Sequence, residues 1–158
     1  MAQVGVQKMH RLQEMPCIFT LGLPIVGLYG IYRFQGQFRM SKILLAEDDD
    51  AMRSFLSASL RRAGHDVQDF EDGEGALEAL EREVFDLLLT DIVMPGIDGI
   101  ELARRGAELD PAMKIVFITG FAAVALSGGS PTPAGAKVLS KPFHLRELVD
   151  EVERVMAA

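Results

Sequence analysis

Five side chains in this sequence could act together on a charged group: the carboxylates of Glu47, Asp48 and Asp91, the hydroxyl of Thr119 and the ammonium of Lys141. Each stands at or just past the end of a short apolar run. Glu47 and Asp48 follow Ile43–Ala46, Asp91 follows Phe85–Thr90, Thr119 closes Lys114–Thr119 and Lys141 follows Lys137–Ser140. Carboxylates gathered at one place repel one another and lose hydration, which is costly unless a cation joins them. An all-oxygen donor set, without thiolates or paired imidazoles, suits a hard ion, which in a cell is Mg2+. A carboxylate beside Mg2+ and an ammonium can attack phosphorus and become an aspartyl phosphate. Taken singly, each residue has a plainer use. Glu47 to Asp50 could be a solvated loop and helix cap, Asp91 a turn residue before Pro95, Thr119 a strand-end hydroxyl and Lys141 a surface cation. Their shared position after strand ends outweighs separate explanations.

That position depends on the elements between them. Ile43–Ala46 reads as a buried strand. Asp49 or Asp50 can cap a following helix, with Met52, Phe55, Leu56 and Leu60 as its core face and Gly64 as its stop. Asp66–Phe70 reads as a more polar edge strand, and Gly73–Glu83 as a helix with Ala76, Leu77 and Leu80 inward. Phe85–Thr90 is a strand, Ile97–Leu109 a helix ending before Pro111, and Lys114–Thr119 and Lys137–Ser140 are further strands. His144–Met156 carries a clear helical stripe: Leu145, Leu148, Val149, Val152, Val155 and Met156. Alternating strands and helices with continuous apolar strand runs predict an α/β, doubly wound parallel sheet. Such sheets bind ligands at the carboxyl ends of their strands, where the five residues fall.

Composition narrows the function. The chain has 158 residues, 49% apolar and 25% charged, enough for a packed domain and an appendage. The net charge of −7 argues against nucleic acid or an anionic membrane as the main partner. Cys17 is the sole cysteine, so no internal disulfide exists, and the lack of Trp argues against a base-stacking platform. The charge is unevenly divided. Residues 1–39 carry Lys8, Arg11, Arg33 and Arg39 against Glu14, whereas residues 40–158 hold 12 basic and 22 acidic side chains. We place a domain boundary at Met40. The uncharged run Met15–Tyr32 contains Pro16, Pro24, Gly22, Gly27 and Gly30, which weaken it as a membrane span. Three readings of residues 1–39 stay open: a mis-assigned start with translation beginning at Met40, a disordered extension, or an anchor.

Four motifs in order carry a family likeness: Ile43-Leu44-Leu45-Ala46-Glu47-Asp48-Asp49; Leu88-Leu89-Thr90-Asp91-Ile92-Val93-Met94-Pro95 with Asp98-Gly99; Phe117-Ile118-Thr119-Gly120; and Ser140-Lys141-Pro142-Phe143. Over residues 40–158 the chain resembles the receiver domain of two-component response regulators. The resemblance implies a flavodoxin- and CheY-like sheet of five strands in the order 2-1-3-4-5. It makes Asp91 the phosphoacceptor, Asp48 a direct Mg2+ ligand, Glu47 an acid acting through water, and the backbone carbonyl of Val93 a third protein ligand. Thr119 matches the switch hydroxyl and Lys141 the lysine that pairs with a phosphoryl oxygen, followed by a peptide usually cis in this family. The implied partners are a histidine kinase or histidine phosphotransferase, in the cytoplasm, with no nucleic acid. The chain is expected to be a phosphoacceptor and regulator rather than an enzyme.

Two departures stand out. Val138 occupies a position usually aromatic, and Gly128-Gly129-Ser130-Pro131-Thr132-Pro133 should cut short a helix in residues 121–136. Switching through order and disorder of that segment is one expectation. The pattern ends with the last helix, so output is expected through protein contact. Its phrases look most like a group of single-domain cell-cycle regulators of alphaproteobacteria. That likeness implies an adaptor delivering protease substrates to ClpXP through ClpX until phosphorylation switches it off. The rival reading is a phosphate sink or shuttle in a kinase relay.

Overall fold

The structure is a computed structural model that describes residues 40–120 and 133–158. The extension expected over 1–39 and the interrupted stretch 121–132 lie outside the described residues. The chain runs β1 (Lys42–Ala46), α1 (Asp50–Arg62), β2 (Asp66–Phe70), α2 (Gly73–Arg82), β3 (Leu87–Asp91), α3 (Gly99–Leu109), β4 (Lys114–Thr119), β5 (Lys137–Ser140) and α4 (Leu145–Ala157). All pairings are parallel, and the five strands lie in the order β2-β1-β3-β4-β5, as expected. β3 is buried along its whole length, which its unbroken Leu87-Leu88-Leu89 run requires of a central strand.

Alternation along the strands feeds two cores. Leu44, Leu88, Ile115 and Phe117 face one way and pack with Leu77, Leu80 and Leu102 of α2 and α3. Ile43, Leu45, Leu87, Leu89, Val116 and Ile118 face the other and pack with Leu56 and Leu60 of α1 and Leu148, Val152 and Val155 of α4. Fully burying one such side chain stabilises by roughly 1.5–3 kcal/mol, so the sheet is fixed from both faces. Val138 is partly buried against the α2–α3 core.

Helix starts are set by aspartates. Asp49 accepts from the Met52 N–H at 2.7 Å, Asp72 from Gly75 at 2.7 Å and Asp98 from Glu101 at 2.8 Å. Each such cap contributes about 1 kcal/mol. Asp98 explains why α3 starts at Gly99 and not at Ile97 as the periodicity predicted. Gly64, with φ +98°, follows α1 in the left-handed region and stops it as expected. One expected core residue is not in the core: Phe55 is 50% exposed. Leu56 and Leu60 set the inward direction of α1, and buried Ser57 flanks it by donating to Asp69 at 2.9 Å. That leaves Phe55 on the side turned toward the strand ends. Among the described residues, no helix is long and apolar enough to cross a membrane.

Candidate functional site

Parallel register brings the predicted residues to one edge. Ala46 is level with Thr90, so Glu47, the first residue past β1, stands beside Asp91, the last residue of β3, which runs one residue beyond the strand expected over Phe85–Thr90 and starts two later. Asp91 is level with Ile118, and Thr119 with Ser140, which puts Thr119 one step and Lys141 two steps farther along the same edge. The Lys141 N–H donates to the Thr119 carbonyl at 2.8 Å and extends that pairing by one bond. The Lys141–Pro142 peptide is cis.

Lys141 Nζ donates to Asp91 Oδ2 at 2.7 Å and to Glu47 Oε2 at 2.8 Å and Oε1 at 3.1 Å. One carboxylate oxygen each from Glu47, Asp48 and Asp91 lies within 4.8 Å of the others. Glu47 is 1% exposed and Asp91 9%, while Asp48 is open to solvent. Thr119 is wholly buried at the end of β4. Val93 is exposed, and its N–H donates to Asp91 Oδ1 at 3.3 Å beside the stronger donor Ile92 N–H at 2.6 Å. The two oxygens of Asp91 therefore face different partners, one the loop backbone and the other the ammonium.

The electrostatics are those of an under-neutralised acid cluster. Burial pushes the Glu47 carboxyl up from its ordinary value, and the Asp91 charge adds to this, against the hydrogen bond and charge of Lys141. Burial pulls Lys141 down, but its bonds to Asp91 and Glu47 outweigh that and hold it above the ordinary lysine range. One ammonium faces three carboxylates, so the donor set fits a divalent, oxygen-seeking cation. An open groove of about 470 Å³ adjoins the cluster, lined by Ala51, Met52, Phe55, Pro142 and Phe143 with Glu47, Asp49 and Lys141.

Several residues without a motif of their own hold the cluster. Arg53 Nη1 reaches back from α1 to the Glu47 carbonyl at 2.7 Å and the Asp48 carbonyl at 3.4 Å. Thr90 Oγ1 donates to the Asp91 carbonyl at 2.8 Å. Gly99 comes so close that a Cβ there would sit 1.9 Å from the Asp91 carbonyl oxygen. Glu74, on α2, accepts from the Ile97 N–H at 3.1 Å. A guanidinium one turn past an acidic pair was a readable signal for Arg53. Glu74 gave none, because its partner is 23 residues away.

A doubly wound sheet of this order, with acids after β1 and at the end of β3 and a lysine after β5, defines a class, and the sequence profile of the response regulator receiver domain matches residues 43–153. The chain belongs to the response regulator receiver family. It is similar to the response regulator receiver protein CpdR of Brucella abortus (strain 2308), with 61% identity over 119 residues, which cover 75% of this chain and 99% of that protein. It is also similar to the sensor kinase CckA of the same strain, 35% identical over 117 residues, covering 72% of this chain and 12% of the kinase. Among solved structures, the receiver domain of sensor histidine kinase PA1611 from Pseudomonas aeruginosa PAO1 superposes with a TM-score of 0.68 at 26% identity. The match covers 76% of this chain and all of that one, which holds a magnesium ion coordinated in its active site cleft.

Proposed function

We propose that this chain is a phosphorylation-controlled regulator that takes a phosphoryl group on Asp91 and signals by protein contact, as an adaptor for the ClpXP protease. The observation that carries this reading is the Lys141 bridge between Asp91 and Glu47, at 2.7 and 2.8 Å, beside the exposed Asp48. An Asp91 oxygen attacks the phosphorus of a phosphohistidine donor on a kinase or phosphotransferase. The O–P bond forms as the N–P bond breaks, and the imidazole leaves with the electron pair and takes up a proton. Glu47, Asp48 and the Val93 carbonyl, with Asp91, would hold Mg2+. When bound, Mg2+ supplies charge neutralisation at the transferring oxygens. Lys141 then moves its ammonium from Asp91 to a phosphoryl oxygen, and Thr119 supplies the hydroxyl that meets another.

The adaptor role draws support from the likeness to CpdR, which extends over 99% of that protein. The groove beside Lys141, with half-exposed Phe55, suits a protein donor over a small one, since it gives an apolar face to press against while the acid cluster reacts. ClpX capture by the unphosphorylated chain, lost on phosphorylation, is the decisive measurement. Equal capture of both forms would rule the adaptor out, and phosphoryl drainage from a relay without ClpX capture would favour a sink.

A further inference from the structure

The loop between β3 and α3, residues 92–98, carries Val93 and turns the backbone away from Asp91. Its start is held by the sheet and by α3. The Gly99 N–H donates to the Ile92 carbonyl at 3.0 Å, and Gly99 leaves no room for a Cβ beside the Asp91 carbonyl. Its far end is held by α2. Gly96 sits at φ +71°, and a Cβ on it would lie 2.2 Å from Glu74 Oε1. A Cβ on Gly73 would lie 2.1 Å from the Ile97 carbonyl oxygen. Into this close seam Glu74 Oε1 accepts the Ile97 N–H at 3.1 Å. Glu74 is exposed, and no part of the core depends on it.

We infer that Glu74 is a positioning residue: its carboxylate latches the β3–α3 loop to α2 and so sets where Val93 and Asp91 present their oxygens to the cation. The inference rests on the phosphoacceptor reading above. Asp91 Oδ1 is oriented by the N–H groups of Ile92 and Val93, which belong to the latched loop. Releasing the far end at Ile97 lets the loop sample other poses. In those poses the Val93 carbonyl and the Asp91 carboxylate no longer point at one spot. The loss falls on cation binding first, because a ligand set is sensitive to what orients it. It reaches phosphoryl acceptance only through the cation. The same seam makes α2 sensitive to the site, since a cation that fixes the loop also fixes Glu74.

The test compares the full chain with Glu74→Ala, Glu74→Gln and Glu78→Ala, by calorimetric titration with Mg2+ alone and by labelling with acetyl phosphate over a range of Mg2+. Glu78 lies one turn on, is exposed and pairs with Arg82, so its removal perturbs α2 without touching the loop. Glu74→Ala should weaken Mg2+ binding about tenfold and shift half-maximal labelling to higher Mg2+ by the same factor, with much of the rate recovered at saturation. Exchange of the Ile97 amide should quicken in the same variant without any metal. Glu74→Gln keeps an acceptor oxygen and should bind Mg2+ like the parent. A fold defect would instead lower labelling equally at every Mg2+ concentration, and that result overturns the latch. So does parental Mg2+ binding by Glu74→Ala, equal weakening in Glu74→Gln, or equal weakening in Glu78→Ala. If the parent chain itself binds no Mg2+, the phosphoacceptor reading fails and the latch with it.

Discussion

The two ends of the sheet use the same residue types to opposite effect. At the amino end, Lys42 pairs with Glu83 and lies 5.0 Å from the centre of the Phe85 ring, while Gln68 donates to Glu83 at 3.0 Å. At the carboxyl end, Lys141 pairs with Glu47 and Asp91. The difference is burial: the Glu83 side chain is 47% exposed and that of Glu47 1%. Hydrogen bonds from Lys42 and Gln68 hold Glu83 below the ordinary glutamate value, whereas burial drives Glu47 above it. A lysine and a glutamate in water make a weak structural tie. Placed out of water with a second acid, they make a site short of positive charge.

The largest expected effect comes from removing the acid that shares the Lys141 ammonium, whereas at the amino end the second acid, Asp86, accepts only the Lys42 backbone N–H at 2.7 Å. Asp91→Ala should abolish acid-labile, hydroxylamine-sensitive labelling by a phosphodonor while circular dichroism stays that of the parent. Labelling that persists in this variant would sink the assignment. Next, Asp48→Ala should raise the Mg2+ needed for labelling by more than about 100-fold, beyond what changes outside a ligand set usually do. EDTA should stop labelling of the parent, and labelling that survives EDTA would count against the metal site.

Lys141→Ala sharpens the contrast through stability. It leaves two shielded carboxylates facing each other, and urea unfolding without metal should show a loss of up to about 3 kcal/mol, the low end for a broken buried pair because Lys141 reaches the rim. Mg2+ should restore part of that loss by binding the folded state. Lys42→Ala should move the unfolding midpoint much less, with or without Mg2+. Equal losses for the two lysines would erase the distinction between the ends.

The smallest effect is a slope. Because Glu83 is held below the ordinary value of 4.5, the unfolded chain binds its proton first as pH falls. Its stabilisation is therefore present above pH 4.5 and fades as pH drops through the folded value. Glu83→Gln should flatten stability against pH in that acid window and leave the neutral range unchanged. An unaltered slope would mean that the Lys42 pair contributes nothing.

Much of this molecule was legible because its patterns are local. Leu87-Leu88-Leu89 announces a central strand, and acids placed after β1 and at the end of β3 announce a site once the strands are known to be parallel. The sheet itself then fixes the convergence of Glu47, Asp91, Thr119 and Lys141. What stayed hidden depends on distance in sequence or on a rotation about a helix. Phe55 has the spacing of a core residue, and only the direction set by Leu56 and Leu60 shows it turned to the groove. His65 is buried with neither ring nitrogen hydrogen-bonded, and burial lowers its pKa against a smaller opposing charge from Glu153. Nothing in the sequence near it signals that.

The aspartate caps of α1, α2 and α3 have a consequence for kinetics. In a doubly wound sheet the helices that follow the strands begin at the edge where the site lies, and a bare helix start carries roughly half a positive charge. Here Asp49, Asp72 and Asp98 each set a full negative charge on such a start. Asp48, Asp50 and Glu71 are also exposed nearby, and Arg53 alone pairs with the last two, so acids outnumber bases around the mouth of the site and disfavour an anion. On the phosphoacceptor proposal, an anionic phosphodonor would be held off at long range and would meet attraction only once Lys141, and a cation if bound, came within reach. Ions in solution shorten the range of that repulsion to about 8 Å at physiological strength. Encounter with a small anionic donor should thus quicken as salt is added, the reverse of the usual behaviour of steered association.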